Sequence, residues 1–139
     1  PATALVAADG RVTRFAPEAV GRVPAEAATL QFLTTAMQGV TERGTAADAF
    51  AGFPLQQVPI AGKTGSAQVI GIPQDSVYNE EEVAERHRHH GLFIAFAPIE
   101  APTIAVAIIV ENGGGSSAAT PIARAVIDTW LLGEEVADG

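Results

Sequence analysis

Residues 62–66 read Gly-Lys-Thr-Gly-Ser, a set of groups that can bind an anion. The ammonium of Lys63 and the hydroxyl of Thr64 are adjacent donors that can hold a carboxylate at the end of a peptide. Gly65 has no side chain where a bound molecule would lie against the backbone. The amide of Ser66 can donate to an oxygen that becomes negative as a carbonyl is attacked. From these donors we expect this segment to be the binding site, and Lys63 is also the only lysine among the eight basic residues of the chain.

The letters Gly-Lys-Thr also occur in phosphate-binding P-loops. That motif needs a glycine five residues before Gly62, where this chain has Gln57, and a helix directly after the Lys-Thr pair. Here Gly65 and strand-forming residues follow instead. The pattern therefore favours a Lys-Thr-Gly strand, which in penicillin-recognising serine enzymes accompanies a Ser-x-x-Lys and a Ser-Asp-Asn-type motif.

An edge strand is predicted to carry this segment. Residues 58–72 include Val58, Ile60 and several further residues that suit a strand. Pro59 lacks an amide hydrogen, which favours the edge or the start of a strand over a central position. An edge is also where an extended ligand can add itself to a sheet.

Two apolar strands and a helix follow. Residues 92–97 and 103–110 are predicted strands, and the second is apolar on both faces, so both faces must be covered. Pro121 fits the first turn of a helix that Gly133 can end. Its expected buried stripe is Ile122, Ala125, Val126, Thr129 and Trp130. The predicted fold class is α+β, an antiparallel β-sheet flanked by helices on both faces.

The other segments predict supporting elements. Residues 3–15 suggest a hairpin with a two-residue turn at Asp9-Gly10. Residues 25–39 have helical spacing, with Leu30, Leu33, Thr34 and Met37 on one side. Residues 79–90 suggest a short helix capped by Asn79 and Glu82, with Glu82 and Arg86 spaced for a surface pair. We expect one domain portion over 1–133 and a flexible acidic tail over 134–139.

Composition excludes several classes of function. The 139 residues carry a net charge of −8 with no basic cluster, so nucleic acid is not an expected partner. With no cysteine, a disulfide framework and a thiolate metal site are excluded. No apolar run approaches the roughly 20 residues of a membrane span. His87, His89 and His90 have no helical spacing that would let two of them share a metal, and we expect no metal and no cofactor.

Several stretches together resemble the transpeptidase domain of class B penicillin-binding proteins, most closely the elongation-type penicillin-binding protein 2. The match includes Ala-Gly-Lys-Thr-Gly-Ser-Ala-Gln-Val at 61–69 and His-Gly-Leu-Phe-Ile-Ala-Phe-Ala-Pro at 90–98. Further stretches lie at 37–46, 78–86 and 104–114, the last with a Glu-Asn-Gly-Gly ending. The resemblance extends over most of the chain, from about Met37 to Gly133.

The resemblance implies a D,D-transpeptidase that cross-links peptidoglycan stem peptides at the periplasmic face of the bacterial inner membrane and is acylated by β-lactams. Lys63 and Thr64 would bind the terminal carboxylate, with Gly65 beside it. The backbone amide of Ser66 would be one oxyanion donor. Ser66 stands where many relatives have threonine, which keeps the hydroxyl. The cell-elongation machinery is an implied partner.

The chain departs from the family in lacking the nucleophile. Ser-x-x-Lys cannot occur, because Ile60 stands three residues before the only lysine, and no serine begins a Ser-x-Asn triplet. We therefore expect the nucleophilic half of the domain to lie upstream, and this chain alone to be inactive. Three alternatives remain open: a penicillin sensor, a degenerate non-catalytic binding module, and a carboxypeptidase of the same fold.

Overall fold

The structure is a computed structural model that describes residues 4–16, 18–69 and 85–133. The predictions for 70–72, for Asn79 and Glu82 with its Arg86 pair, and for the acidic tail 134–139 lie outside these residues. The described elements are the strands β1 to β5 and the helices α1 and α2. Their bounds are Ala4–Val6, Val12–Arg14, Ala61–Ala67, His90–Ala97 and Ile104–Val110 for the strands, and Ala27–Glu42 and Thr120–Leu132 for the helices.

The central element is a three-stranded antiparallel sheet in the order β3-β4-β5. β4 and β5 agree with the two predicted strands, and β3 lies at the edge as predicted. β3 is shorter than the predicted strand, since it begins at Ala61. The backbone before it is used otherwise: the amide of Val58 donates to the Pro54 carbonyl, and the Pro59 carbonyl accepts from Ile99 at 3.0 Å.

The hydrophobic core lies on the face of the sheet that carries Phe93. Phe50, Ile60, Phe93 and Ile127 are all fully buried there. The ring of Phe50 is 6.0 Å from that of Phe93, centroid to centroid. These large side chains, together with several buried alanines, hold α2 and the turns at 44–53 against β4.

Helices pack against the antiparallel sheet, and the predicted fold class is confirmed. α2 packs against β4 and β5, and α1 packs against β3. Ala61, which alternation places on the face opposite Gly62, is fully buried as well. Farther along that face Ile94 and Ile109 are at least half-exposed, so the cover provided by the described residues is partial.

α2 corrects one prediction. The helix has Pro121 in its first turn and ends at Gly133, whose φ is 67°, both as predicted. The predicted buried stripe is wrong: the buried positions are Thr120, Ala123 and Ile127. The small side chain of Ala123 lets the helix approach the sheet closely. The bulkier apolar face remains exposed, with Ile122 46%, Val126 41% and Trp130 63% accessible.

α1 extends beyond its predicted end. It continues through Gly39 to Glu42, and it is fixed there because buried Thr41 donates to the Ile60 carbonyl at 2.8 Å. Gly44 follows, where a Cβ would lie 2.8 Å from the Cα of Val40. The predicted apolar side is only partly covered: Leu30 and Leu33 are half-exposed.

The terminal hairpin and the segment before β4 differ in detail from expectation. β1 and β2 pair antiparallel as predicted. The loop between them has three residues rather than two, because the Ala7 amide donates to Arg11 and Gly10 has a φ of 81°. Residues 85–87 form a 3-10 turn, and β4 already begins at His90, so the predicted helix does not reach that residue. None of the described helices is long and apolar enough to cross a membrane.

Candidate substrate-binding site

The predicted site residues lie together on β3. Lys63 pairs with Ile94, Thr64 with Phe93, Gly65 with Leu92 and Ser66 with Gly91. Because side chains alternate along a strand, Lys63 and Gly65 belong to one face of the sheet, and Thr64 and Ser66 belong to the other. Lys63 and Ser66 are exposed, and Thr64 and Gly65 are half-buried. The segment is therefore an accessible edge bearing donors on both of its faces.

The hydroxyl of Thr64 has a partner that sequence reasoning did not identify. Its Oγ1 lies 2.7 Å from Oγ1 of Thr45, a residue of the connection between α1 and β3. Thr45 follows Gly44 and precedes Ala46, which is buried in the core. The contact fixes the rotamer of Thr64 at the strand edge. In the sequence, Thr45 was indicated only by its place in the stretch 37–46 of the family resemblance.

The ammonium of Lys63 is held close to its own strand. Its Nζ donates to the carbonyl oxygen of Thr64 at 2.6 Å. Within the described residues Lys63 forms no ion pair with a carboxylate. An exposed cation whose described partner is a neutral carbonyl is available for a carboxylate ligand, to which it would bind more strongly.

The two glycines of the motif differ in what surrounds them. A Cβ on Gly62 would lie 2.7 Å from Cζ of Phe93, so this glycine admits a core ring rather than a ligand. A Cβ on Gly65 would meet only the Cβ of Leu92, at an ordinary 3.4 Å. The strand is thus open beside Gly65.

The Ser66 end of β3 lies next to the loop that follows β5. A Cβ on Gly115 would lie 3.9 Å from Oγ of Ser66, and the Gly115 carbonyl contacts Gly91, the partner of Ser66 in β4. The short 3-10 helix Ser116–Ala118 also packs against β3 and β4. The Ser66 end of β3 is therefore flanked by β4 and by the loop and 3-10 helix that follow β5.

The arrangement can bind and polarise a substrate, and the described residues provide no complete catalytic set. The described serines are Ser66, Ser116 and Ser117. All of them follow Lys63 in the chain, so none can be the serine of a Ser-x-x-Lys motif with it. No group of three or more histidine, aspartate or glutamate side chains in the described ranges could hold a metal ion. The chemistry available here is anion binding and oxyanion stabilisation.

Comparison with known proteins agrees with this geometry. The family described as penicillin binding protein transpeptidase domain matches residues 3–128. The chain is 43% identical over 104 residues to the peptidoglycan D,D-transpeptidase MrdA of Escherichia coli K12, covering 73% of this chain and 16% of that protein.

Two solved structures show the same fold. The chain resembles penicillin-binding protein 2 of Helicobacter pylori, solved in complex with MreC, with a TM-score of 0.59 and 30% identity over 76% of this chain and 18% of that one. It resembles penicillin-binding protein A of M. tuberculosis, an imipenem acyl-enzyme complex, with a TM-score of 0.58 and 31% identity over 93% and 25%. The chain thus spans only 16–25% of these three proteins. It belongs to the penicillin-binding protein transpeptidase family, with penicillin-binding protein 2 among the proteins it is similar to.

Proposed function

We propose that this chain is the C-terminal part of a peptidoglycan D,D-transpeptidase domain of the penicillin-binding protein 2 type. The observation that carries the proposal is the edge strand β3, which presents the Lys63 ammonium, the Thr64 hydroxyl and the accessible backbone from Gly65 to Ser66 along one edge of the sheet. This set suits a peptide that ends in a carboxylate and adds to the sheet edge.

In the proposed complex the terminal carboxylate of a D-Ala-D-Ala stem peptide binds Lys63 and Thr64. The carboxylate replaces the Thr64 carbonyl as the partner of Nζ, exchanging a neutral acceptor at 2.6 Å for a charged one. The hydroxyl of Thr64 donates to the ligand while its contact with Thr45 keeps it oriented. Substrate placement therefore depends on three side chains of this chain.

The acyl-transfer step needs a nucleophilic serine and a base from the remainder of the domain. The serine attacks the carbonyl of the penultimate D-Ala, and the terminal D-Ala leaves. The Ser66 amide stabilises the oxyanion while the new ester bond forms, and an amine of a second stem peptide then takes the acyl group. We assign Ser66 through its backbone, so its exposed hydroxyl is not required for the reaction.

The wider context follows from the same relatives. One relative was solved as an imipenem acyl-enzyme and another with MreC. For this protein we propose acylation by β-lactams, participation in the cell-elongation machinery and a position at the periplasmic face of the inner membrane. The remaining part of the domain is its first partner, and apolar residues such as Phe32 and Trp130, which are 72% and 63% exposed, are consistent with further packing.

The test is acylation of the full-length protein by a fluorescent penicillin. Replacing Lys63 by alanine should lower the second-order acylation rate by about tenfold or more, the effect of losing one charge-assisted hydrogen bond. Arg11→Ala is the matched control, since Arg11 is an exposed cation in the terminal hairpin. An unchanged rate in Lys63→Ala would refute the assigned role. A wild-type protein that never acylates would instead support a degenerate binding module.

A further inference from the structure

His90 begins β4 next to the proposed oxyanion donor. It pairs with Ala67 at the end of β3, and its neighbour Gly91 pairs with Ser66. His90 is half-buried, and its ring is turned toward the loop that follows β5. This histidine has no role in the mechanism above, so its contacts require their own explanation.

The ring nitrogen Nδ1 of His90 is a hydrogen-bond acceptor. The backbone amide of Asn112 donates to it at 2.9 Å. A nitrogen that accepts from an amide carries a lone pair, so the imidazole is neutral and its proton is on Nε2. Asn112 has a φ of 54°, a left-handed conformation that asparagine tolerates better than most residues. The bond therefore holds Asn112 in an unusual backbone conformation.

The loop that His90 holds packs against β3, which contains Ser66, and against β4, which contains its partner Gly91. Its residues are Asn112 to Gly115, and the amide of Gly114 donates to the His89 carbonyl at 2.9 Å. The carbonyl of Gly115 contacts Gly91, and Gly115 lies close to the Ser66 side chain. One end of this contact path is thus the His90 ring, and the other is the strand end that carries the proposed oxyanion amide.

We propose that His90 is a positioning residue for acyl transfer: its neutral Nδ1 fixes the Asn112–Gly115 loop, and the loop fixes the Ser66 end of β3. This inference rests on the proposed function, because it assigns the loop to the oxyanion side of that site. His90 does not touch the reacting atoms in this account. Its contribution is to keep the Ser66 amide at the place where the oxyanion forms.

The experiment compares His90→Leu with His90→Asn in the full-length protein, again by acylation with fluorescent penicillin. Leucine removes the acceptor, whereas the asparagine amide oxygen can accept from Asn112. We expect His90→Leu to acylate about tenfold more slowly, the effect of a lost hydrogen bond to a half-buried amide, and His90→Asn to recover most of the rate. Equal rates in wild type and His90→Leu would overturn the proposal, as would equally slow acylation by both variants.

Two further readouts keep the outcomes separate. In the wild-type protein, nitrogen-15 NMR of His90 should show an unprotonated Nδ1, and a proton on Nδ1 would overturn the proposal even if His90→Leu fails to fold. Lys63→Ala serves as the control for the function itself. If Lys63→Ala slows acylation and the His90 variants do not, the inference fails while the proposed function stands. If the wild type is not acylated, the proposed function fails.

Discussion

The hydroxyl oxygens of Thr45 and Thr64 lie 2.7 Å apart, although the two residues are 19 positions apart in the chain. Thr45 belongs to the connection between α1 and β3, and Thr64 belongs to the proposed carboxylate-binding segment. A residue outside β3 thus orients a donor within it.

Replacing Thr45 by valine tests this contact. Valine keeps the branched shape but removes the hydroxyl, so Thr64 loses its partner. We expect acylation by fluorescent penicillin to slow by about two- to tenfold, the effect of one neutral hydrogen bond. The melting temperature should not change, because Thr45 is exposed. Thr35→Val is the matched control, since the hydroxyl of Thr35 donates within α1, to the carbonyl of Gln31. A rate equal to that of the control contradicts the role of Thr45.

Gly62→Ala should destabilise the complete domain without any change at the ligand-facing atoms. The new Cβ would lie 2.7 Å from Cζ of Phe93, which is fully buried and cannot move freely. We expect a loss of about 1–3 kcal/mol in the free energy of unfolding, measured by urea titration. Gly21→Ala is the control, because nothing lies within 4 Å of the Cβ position there. Equal stabilities of the two variants would refute the steric account.

Thr41→Val should weaken the junction between α1 and β3. Thr41 is fully buried and donates to the carbonyl of Ile60, so valine leaves that carbonyl without this donor. The expected cost is about 1–3 kcal/mol in the free energy of unfolding. Thr129→Val provides the comparison, since Thr129 is exposed on α2 and its hydroxyl bonds within the helix. If both variants unfold at the same urea concentration, the junction does not depend on this bond.

Arg124→Lys should be destabilising although it conserves the charge. The guanidinium donates to Asp128 at 2.7 Å and to the carbonyls of Ala49 and Ala51, and it lies 5.2 Å from the Phe53 ring centroid. A lysine ammonium cannot reach these partners together, because its donors radiate from one atom. We expect a melting temperature several degrees lower in the complete domain. Arg11→Lys, at an exposed position, should leave the melting temperature unchanged. If Arg124→Lys melts at the wild-type temperature, the contacts of Arg124 do not contribute to stability in this way.

The isolated 139-residue chain should melt less cooperatively than the complete domain. Exposed apolar side chains on α1, on α2 and on the open part of the sheet indicate surfaces that the rest of the domain covers. The comparison is a thermal melt followed by circular dichroism. An equally sharp transition of the isolated chain, at the same temperature, would show that these surfaces need no further cover.

Strand positions were predictable because short apolar runs rich in β-branched residues and bounded by turn residues favour strands. The apolar run at residues 104–110 indicated a strand and the proline before the Lys-Thr-Gly segment indicated an edge strand, and β5 and β3 agree with these predictions. The predicted buried stripe of α2 was wrong because this helix has two apolar faces. Sequence patterns favour the bulkier face with Val126 and Trp130, whereas close packing selected the one with Ala123 and Ile127.

Long-range hydrogen bonds were beyond sequence reasoning for a different reason. Thr45 with Thr64, Thr41 with Ile60 and His90 with Asn112 join residues 19 to 22 positions apart. Each bond depends on where a loop places a small polar group, and no periodic pattern encodes that placement. The motif residues themselves were predictable because their chemistry is concentrated in one segment.

The exposed ammonium of Lys63 has a practical consequence, since no other side chain of this sequence carries a primary amine. An amine-directed reagent applied to the native protein will label this stretch at one side chain, readable as a single modified peptide after digestion. Under the proposed function, a molecule whose carboxylate binds Lys63 will shield that amine. The extent of labelling at Lys63 therefore reports whether the site is occupied, including by ligands that form no covalent adduct.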